Sequence, residues 1–212
     1  LRLGLMVSGN TYRHPALLAN MCATIDVMSR GRLEIGLGAA WNAQEHHAYG
    51  MEFPPTGVRM DALDEACQVL DLLLTQRVAH FSGEHYTLTD AYCEPKPVQS
   101  PRPPLVIGGG GERRTLRIVA KYADHWNFPG RSGEELRAKL EVLRGHCEAV
   151  GRDLAEIEVS AHLFEPLDPA GAVAAARDLQ SAGCGQVILY LNPPFEVAKL
   201  QAVARAVADA VG

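Results

Sequence analysis

The sequence predicts an α/β protein built on parallel strands, and three observations carry that prediction. Short apolar runs alternate with amphipathic helical segments in six successive units. Such alternation calls for parallel strands joined by right-handed crossovers and covered by helices. Glycine or proline marks the ends of most segments, and no internal repeat or linker interrupts them, so one domain covering residues 1–212 is expected. An open doubly wound sheet and a closed (β/α)8 barrel both fit this pattern, since both bind ligands at the C-terminal ends of their strands.

Taken in order, Leu1 to Gly9 (LRLGLMVSG) is short and apolar, as a buried parallel strand should be. A helix follows, with Pro15 in its first turn, an inner stripe of Leu18, Met21, Cys22, Ile25 and Met28, and a stop at Gly31. Leu33 to Gly38 reads as a second buried strand. The loop after it, Ala39 to Gly57, exceeds the roughly 12 to 15 residues usual inside a compact domain, so it is expected to form part of a binding rim. Val58 to Thr75 is helical, with Ala62, Ala66, Val69, Leu70 and Leu73 on one side. VAHFSGEHYTL reads as a hairpin turning at Ser82-Gly83, and the proline-rich run from Ala91 to Pro104 as extended surface chain. A strand leads into Gly108 to Gly111, and a helix follows with Leu116, Val119, Ala120 and Ala123 on its buried face. Asp124 to Phe128 is a short strand, and Ser132 with Glu135 forms a capping box for a helix reaching about Val150. Ile157 to Phe164 is the next strand; Asp168 caps a helix with Pro169 at its first position. Gln186 to Leu191 is the last strand and Phe195 to Val211 the last helix.

Composition narrows the function. A chain of 212 residues, 47% hydrophobic and 21% charged, can build a sizeable core, and disorder is not expected. The net charge of -5, without any basic run, argues against a nucleic-acid partner. No apolar stretch approaches the ~18 residues of a membrane span, and no signal peptide is recognisable, so a cytoplasmic protein is expected. Cys22, Cys67, Cys93, Cys147 and Cys184 stand singly and read as buried small apolar side chains rather than a disulfide or zinc framework. His46 and His47 are adjacent, so their side chains diverge by about 100° on a helix and lack metal-ligand spacing. No metal is expected.

The run Gly108 to Gly111 is the most informative feature. Glycine loses more backbone freedom on folding than any other residue, and a plain turn needs one, not four. Four offer bare N-H groups that can surround an anion, next to the positive end of the following helix. Arg113 and Arg114 oppose the dipole unless a phosphate lies there; Glu112 weakens that reading slightly. A flexible strand-to-helix loop with solvated arginines is the structural alternative.

TYRHPALLANMCATIDVMSRGRLEIGLGAAWNAQEHHAYG, PPTGVRMDALDEACQVL, FSGEHYTL and PPLVIGGGGERRTLRIVAKYADHWN, met in this order, resemble the bacterial luciferase-like superfamily. The nearest match is its deazaflavin (coenzyme F420)-dependent branch, which includes glucose-6-phosphate dehydrogenases and methylene-tetrahydromethanopterin reductases. The resemblance is clear from Leu1 to about Phe128. It implies a TIM (β/α)8 barrel of luciferase-like type, incomplete because the first two β/α units are missing, with Leu1 near the third strand. It also implies an oxidoreductase that moves a hydride between a small organic substrate and a bound deazaflavin; a homodimer is expected, because an incomplete barrel exposes strand edges and apolar surface that a second subunit would cover.

The resemblance further assigns residues. Met6, Val7 and Gly9 match the bulge with a non-prolyl cis peptide that supports the cofactor ring, and Ala39, Ala40 and Gln44 match contacts to the cofactor's tail. Many relatives have glycine where Ala40 stands, and some have asparagine at Gln44. Gly110, Gly111, Arg113 and Arg114 match a phosphate clasp. Trp126 and Tyr190, near later strand ends, are expected to meet substrate, and Trp41 either covers the cofactor or packs in its loop. The catalytic acid or base is expected upstream of Leu1; His162 is a weaker candidate, read equally as a satisfied core histidine. Three other functions compete with the F420 oxidoreductase. They are an FMN-dependent monooxygenase of the same superfamily, a non-catalytic barrel remnant, and a phosphate-binding lyase or isomerase.

Overall fold

The computed structural model describes residues 1–163, 168–190, 193 and 195–211. It falls into two compact units, Leu1–Gly108 and Gly109–Gly212.

The first unit opens with two strand fragments, β1 (Leu3–Gly4) and β2 (Ser8–Gly9), both parallel to β3 (Leu33–Gly38). The expected buried strand from Leu1 to Gly9 is therefore broken in its middle, and Leu1, Leu3, Leu5 and Met6 are exposed. Its only described strand partner is β3, so one side of these residues is uncovered. Helix α1 (Pro15–Ser29) starts as expected at Pro15, but its buried face is shifted. Leu18, Ala19, Cys22, Ala23 and Asp26 point inward, whereas Met21, Ile25 and Met28 are exposed. Alanines permit close approach to β3 and α3. Asp26 is tolerated there because its carboxylate accepts bonds from Val98 N at 2.9 Å, Gln99 N at 3.0 Å and Gln99 Nε2 at 2.7 Å.

The long loop after β3 contains a short helix, α2 (Ala43–Ala48), capped by the Asn42 side chain. Helix α3 (Thr56–Thr75) buries Leu63, Ala66, Cys67, Val69, Leu70, Leu73 and Leu74. Strands β4 (Ala79–Ser82) and β5 (Thr87–Ala91) form the expected antiparallel hairpin. Glu65 anchors its turn by accepting from the amides of Glu84, His85 and Tyr86 at 2.7 to 3.0 Å. Strand β6 (Leu105–Gly108) then pairs in parallel with β3 and ends the unit.

The second unit holds α4 (Thr115–Tyr122), β7 (His125–Phe128), α5 (Gly133–Val150), β8 (Glu158–Leu163), α6 (Pro169–Ser181), β9 (Gln186–Leu189) and α7 (Val197–Val211). Strands β7, β8 and β9 lie parallel in that order. The Ser132 hydroxyl accepts from Glu135 N at 3.2 Å, and the Asp168 carboxylate from Gly171 N at 2.7 Å, as their cap positions predict. The expected strand ends at Phe164 and Leu191 lie outside the described residues. All five cysteines are buried, matching their reading as small core side chains. Among the described residues no helix is long and apolar enough to cross a membrane.

Candidate functional site

In the first unit the functional candidates gather where β2 and β3 end. The Met6–Val7 peptide is cis. Val7 directs its methyls at the backbone of neighbouring strands: a Cβ at Gly38 would lie 2.9 Å from Val7 Cγ2, and one at Gly108 would lie 3.1 Å from it. The glycines that end β3 and β6 thus make room for Val7. Gly9 is buried, with Tyr12 and Ala40 against its Cα.

Ala39 and Ala40 form the turn after β3, and Ala40 has φ +62, in the left-handed region that glycine enters more readily than alanine. A residue from α3 holds this turn. Arg59 is only 7% exposed, and its Nη1 donates to Ala39 O at 2.9 Å and to Ala40 O. Its Nε donates to Pro54 O at 2.8 Å and its Nη2 to Thr56 Oγ1 at 3.1 Å, while the guanidinium lies 4.0 Å from the Phe53 ring centroid. Gln44 and Trp41 are exposed, Trp41 at 85%. The alternative in which Trp41 packs within its loop is thereby removed.

Helix α2 is fastened to the turn after β2 by two side-chain pairs. His46 is fully buried and stacks on Tyr12 with centroids 4.9 Å apart. Its Nδ1 lies 2.7 Å from Asn42 O, which can only accept, so Nδ1 carries the proton and Nε2 accepts from Thr11 Oγ1 at 2.6 Å. This histidine is a structural core residue. Tyr12 donates to Glu45 Oε2 at 2.5 Å, and that bond, with burial and the carboxylate's charge, pushes the Tyr12 pKa up.

In the second unit the glycine run leads into α4. Gly109 has φ +127, a conformation closed to other residues without strain, and its N-H donates to Asn127 O at 3.3 Å. The Trp126 indole donates to Gly109 O at 2.8 Å. Gly109 is therefore fixed by β7 and its amide is occupied. A Cβ on Gly111 would lie 2.9 Å from Thr115 Oγ1, so packing also demands that glycine. The amides of Gly110 and Gly111 have no hydrogen-bond acceptor among the described residues. No side chain caps α4, and no acidic residue stands in its first turn. Arg113 and Arg114 are exposed. Glu112 is turned toward Lys139, 2.7 Å away, and that hydrogen bond and charge hold its carboxyl below the usual carboxylate range. Its negative charge is thus offset.

Trp126 is fully buried and spends its N-H on Gly109, so the expectation that it meets substrate is corrected: it shapes the glycine run instead. Tyr190 is exposed just after β9. His162, near the end of β8, meets Tyr190 edge-on with centroids 6.5 Å apart. Burial pushes the His162 pKa down, favouring the neutral imidazole. Arg59 is the residue that sequence reasoning missed. An arginine near the start of a helix bearing Asp61 and Asp64 looks like part of a solvated face, and no periodicity marks it as buried.

These features define an α/β protein with a candidate anion site at a glycine run. The chain belongs to the luciferase-like monooxygenase family, whose model matches residues 1–179. It is 30% identical over 181 residues to the F420-dependent glucose-6-phosphate dehydrogenase of Kineococcus radiotolerans, covering 83% of this chain and 52% of that one. Over 185 residues it is 29% identical to an FMNH2-dependent dimethylsulfone monooxygenase of Pseudomonas putida, covering 80% of this chain and 50% of that one. Among solved structures, the coenzyme F420-dependent tetrahydromethanopterin reductase from Methanopyrus kandleri superposes with a TM-score of 0.87 at 16% identity, covering all of this chain and 84% of that one. The fold is therefore the α/β type of luciferase-like barrels. The chain spans about half the length of the curated relatives it matches.

Proposed function

We propose that this chain carries the cofactor-holding part of an oxidoreductase that transfers a hydride between a small organic substrate and coenzyme F420. The observation that carries this reading is the pair of amides at Gly110 and Gly111, which have no acceptor among the described residues and stand beside an uncapped helix start and two arginines. That donor set suits a phosphate: N-H groups without Cβ atoms in front of them, a favourable dipole, and guanidinium groups for charge. Only two of the run's four amides are offered: Gly108 ends β6 and Gly109 is bonded to Asn127.

When bound, the deazaflavin supplies the hydride chemistry. The chain's own residues supply position. Gly110, Gly111, Arg113 and Arg114 would hold the anionic tail. Met6, Val7 and Gly9 are assigned to the ring, and Ala39, Ala40 and Gln44 to contacts with the cofactor's tail. His162, kept neutral by burial, can accept a proton at its ring nitrogen near neutral pH. Tyr190 remains the substrate-side candidate, being exposed beside it.

An FMN-dependent monooxygenase is the second reading, favoured by the 29% identity to the FMNH2-dependent enzyme. The clasp serves either cofactor's phosphate. Fluorescence titration with F420 and, separately, FMN decides between them. F420 binding at micromolar concentration with FMN much weaker is the expected result; tight FMN binding without F420 binding overturns the first reading, and binding of neither leaves the remnant. The working enzyme is proposed to be a cytoplasmic homodimer, which sedimentation would test.

A further inference from the structure

We infer that Arg59 is the positioning residue for the Ala39–Ala40 turn, holding an alanine in a left-handed conformation so that the turn keeps the shape that receives the cofactor. The inference rests on the cofactor assignment above and names how this chain sets that half of the site.

Ala40 is one of few residues other than glycine with positive φ, at +62. An isolated alanine disfavours that region because its Cβ crowds the backbone. Something must compensate. The turn's own carbonyls are where the compensation acts: Arg59 Nη1 bonds both Ala39 O and Ala40 O, so one nitrogen fixes the two peptide planes on either side of the Ala40 Cα. The guanidinium is itself immobile. Pro54 O and Thr56 Oγ1 take two more of its donors, the Phe53 ring lies 4.0 Å from its carbon, and only 7% of the residue is exposed. A buried arginine is a costly residue for a helix, and Arg59 directs three of its four bonds at carbonyls of the preceding loop. Its bonds are used on the segment from Ala39 to Thr56. With both carbonyls turned toward Arg59, the turn cannot present them to a ligand; the Ala40 methyl lies against Gly9, and Trp41 stands exposed.

The consequence is an energetic coupling between two residues nineteen apart in sequence. If Arg59 serves to hold Ala40 left-handed, it becomes dispensable once position 40 enters that region unaided. A double-mutant cycle with Arg59→Met and Ala40→Gly, in the full chain, tests this. Cofactor affinity is read by F420 and FMN fluorescence. The turn itself is read without ligand, by chymotrypsin cleavage at Trp41 and Tyr49. Arg59→Met is expected to weaken cofactor binding about tenfold and to speed cleavage by a similar factor. In the Ala40→Gly background both losses should shrink to about threefold or less. A merely structural arginine gives equal losses in both backgrounds, and that additivity overturns the inference. Should Arg59→Met not fold, Arg59→Lys replaces it, because an ammonium lacks the planar fork that grips the loop. If the parent chain binds neither cofactor, the functional reading falls, and the cleavage arm alone judges the coupling.

Discussion

The loop after β3 and the loop after β6 follow equivalent strand ends, yet they are built by opposite means. Residues 39–56 are moored by buried polar side chains: Arg59 on Ala39, Ala40 and Pro54, and His46 between Asn42 and Thr11. Residues 109–114 are moored mostly through backbone, with Gly109 tied to Asn127 and Trp126, while Gly110 and Gly111 keep their amides available. The first loop spends polar groups on rigidity. The second saves them. On the proposed function, a loop that holds a ligand's anion has to leave donors unspent, whereas a loop that only keeps a fixed shape can consume its own.

The sharpest way to break this contrast is to remove the mooring. Arg59→Met leaves the carbonyls of Ala39, Ala40 and Pro54 without this donor, and should cost about 3 kcal/mol in urea unfolding followed by circular dichroism. A loss below about 0.5 kcal/mol would place those carbonyls in water and erase the distinction. Gly109→Ala should come next. Forcing alanine to φ +127 costs about 2 kcal/mol, visible as a lower midpoint in the same assay. Arg113→Ala reverses the balance between binding and folding. Arg113 is exposed, so stability should hold within about 0.5 kcal/mol, while cofactor affinity drops about tenfold and loses part of its salt dependence.

The smallest effect concerns His162. Its pKa is lowered by burial, so between the folded value and the ordinary 6.5 the unfolded chain binds the extra proton. Stability from this group is complete above pH 6.5 and is lost as pH falls below it. His162→Gln should flatten that acid-side slope, measured as unfolding midpoints across pH.

How legible these regions were in the sequence follows from the kind of interaction each uses. Helix and strand positions came from apolar periodicity, and Ser132, Asp168 and Pro169 marked their helix starts because caps act locally. The face of α1 was misread. Large Met21, Ile25 and Met28 look like core, but close packing on β3 and α3 selects Ala19 and Ala23, and Asp26 is drawn in by the amides of Val98 and Gln99, some seventy residues away. Arg59 and Trp126 were hidden for the same reason. Their partners are backbone carbonyls, which carry no sequence identity. The glycine run stood out, but its packing reasons, Gly109 by its φ and Gly111 by Thr115, needed coordinates.

The central claim is that the Gly110 and Gly111 amides bind the anionic tail of a redox cofactor. The direct measurement is the 15N–1H NMR spectrum of the chain during titration with F420 and with FMN. The amide signals of Gly110 and Gly111 should shift and become protected from exchange in step with binding, with Gly109 moving less because its N-H is already bonded to Asn127. Saturable cofactor binding that leaves the Gly110 and Gly111 signals unmoved would contradict the account.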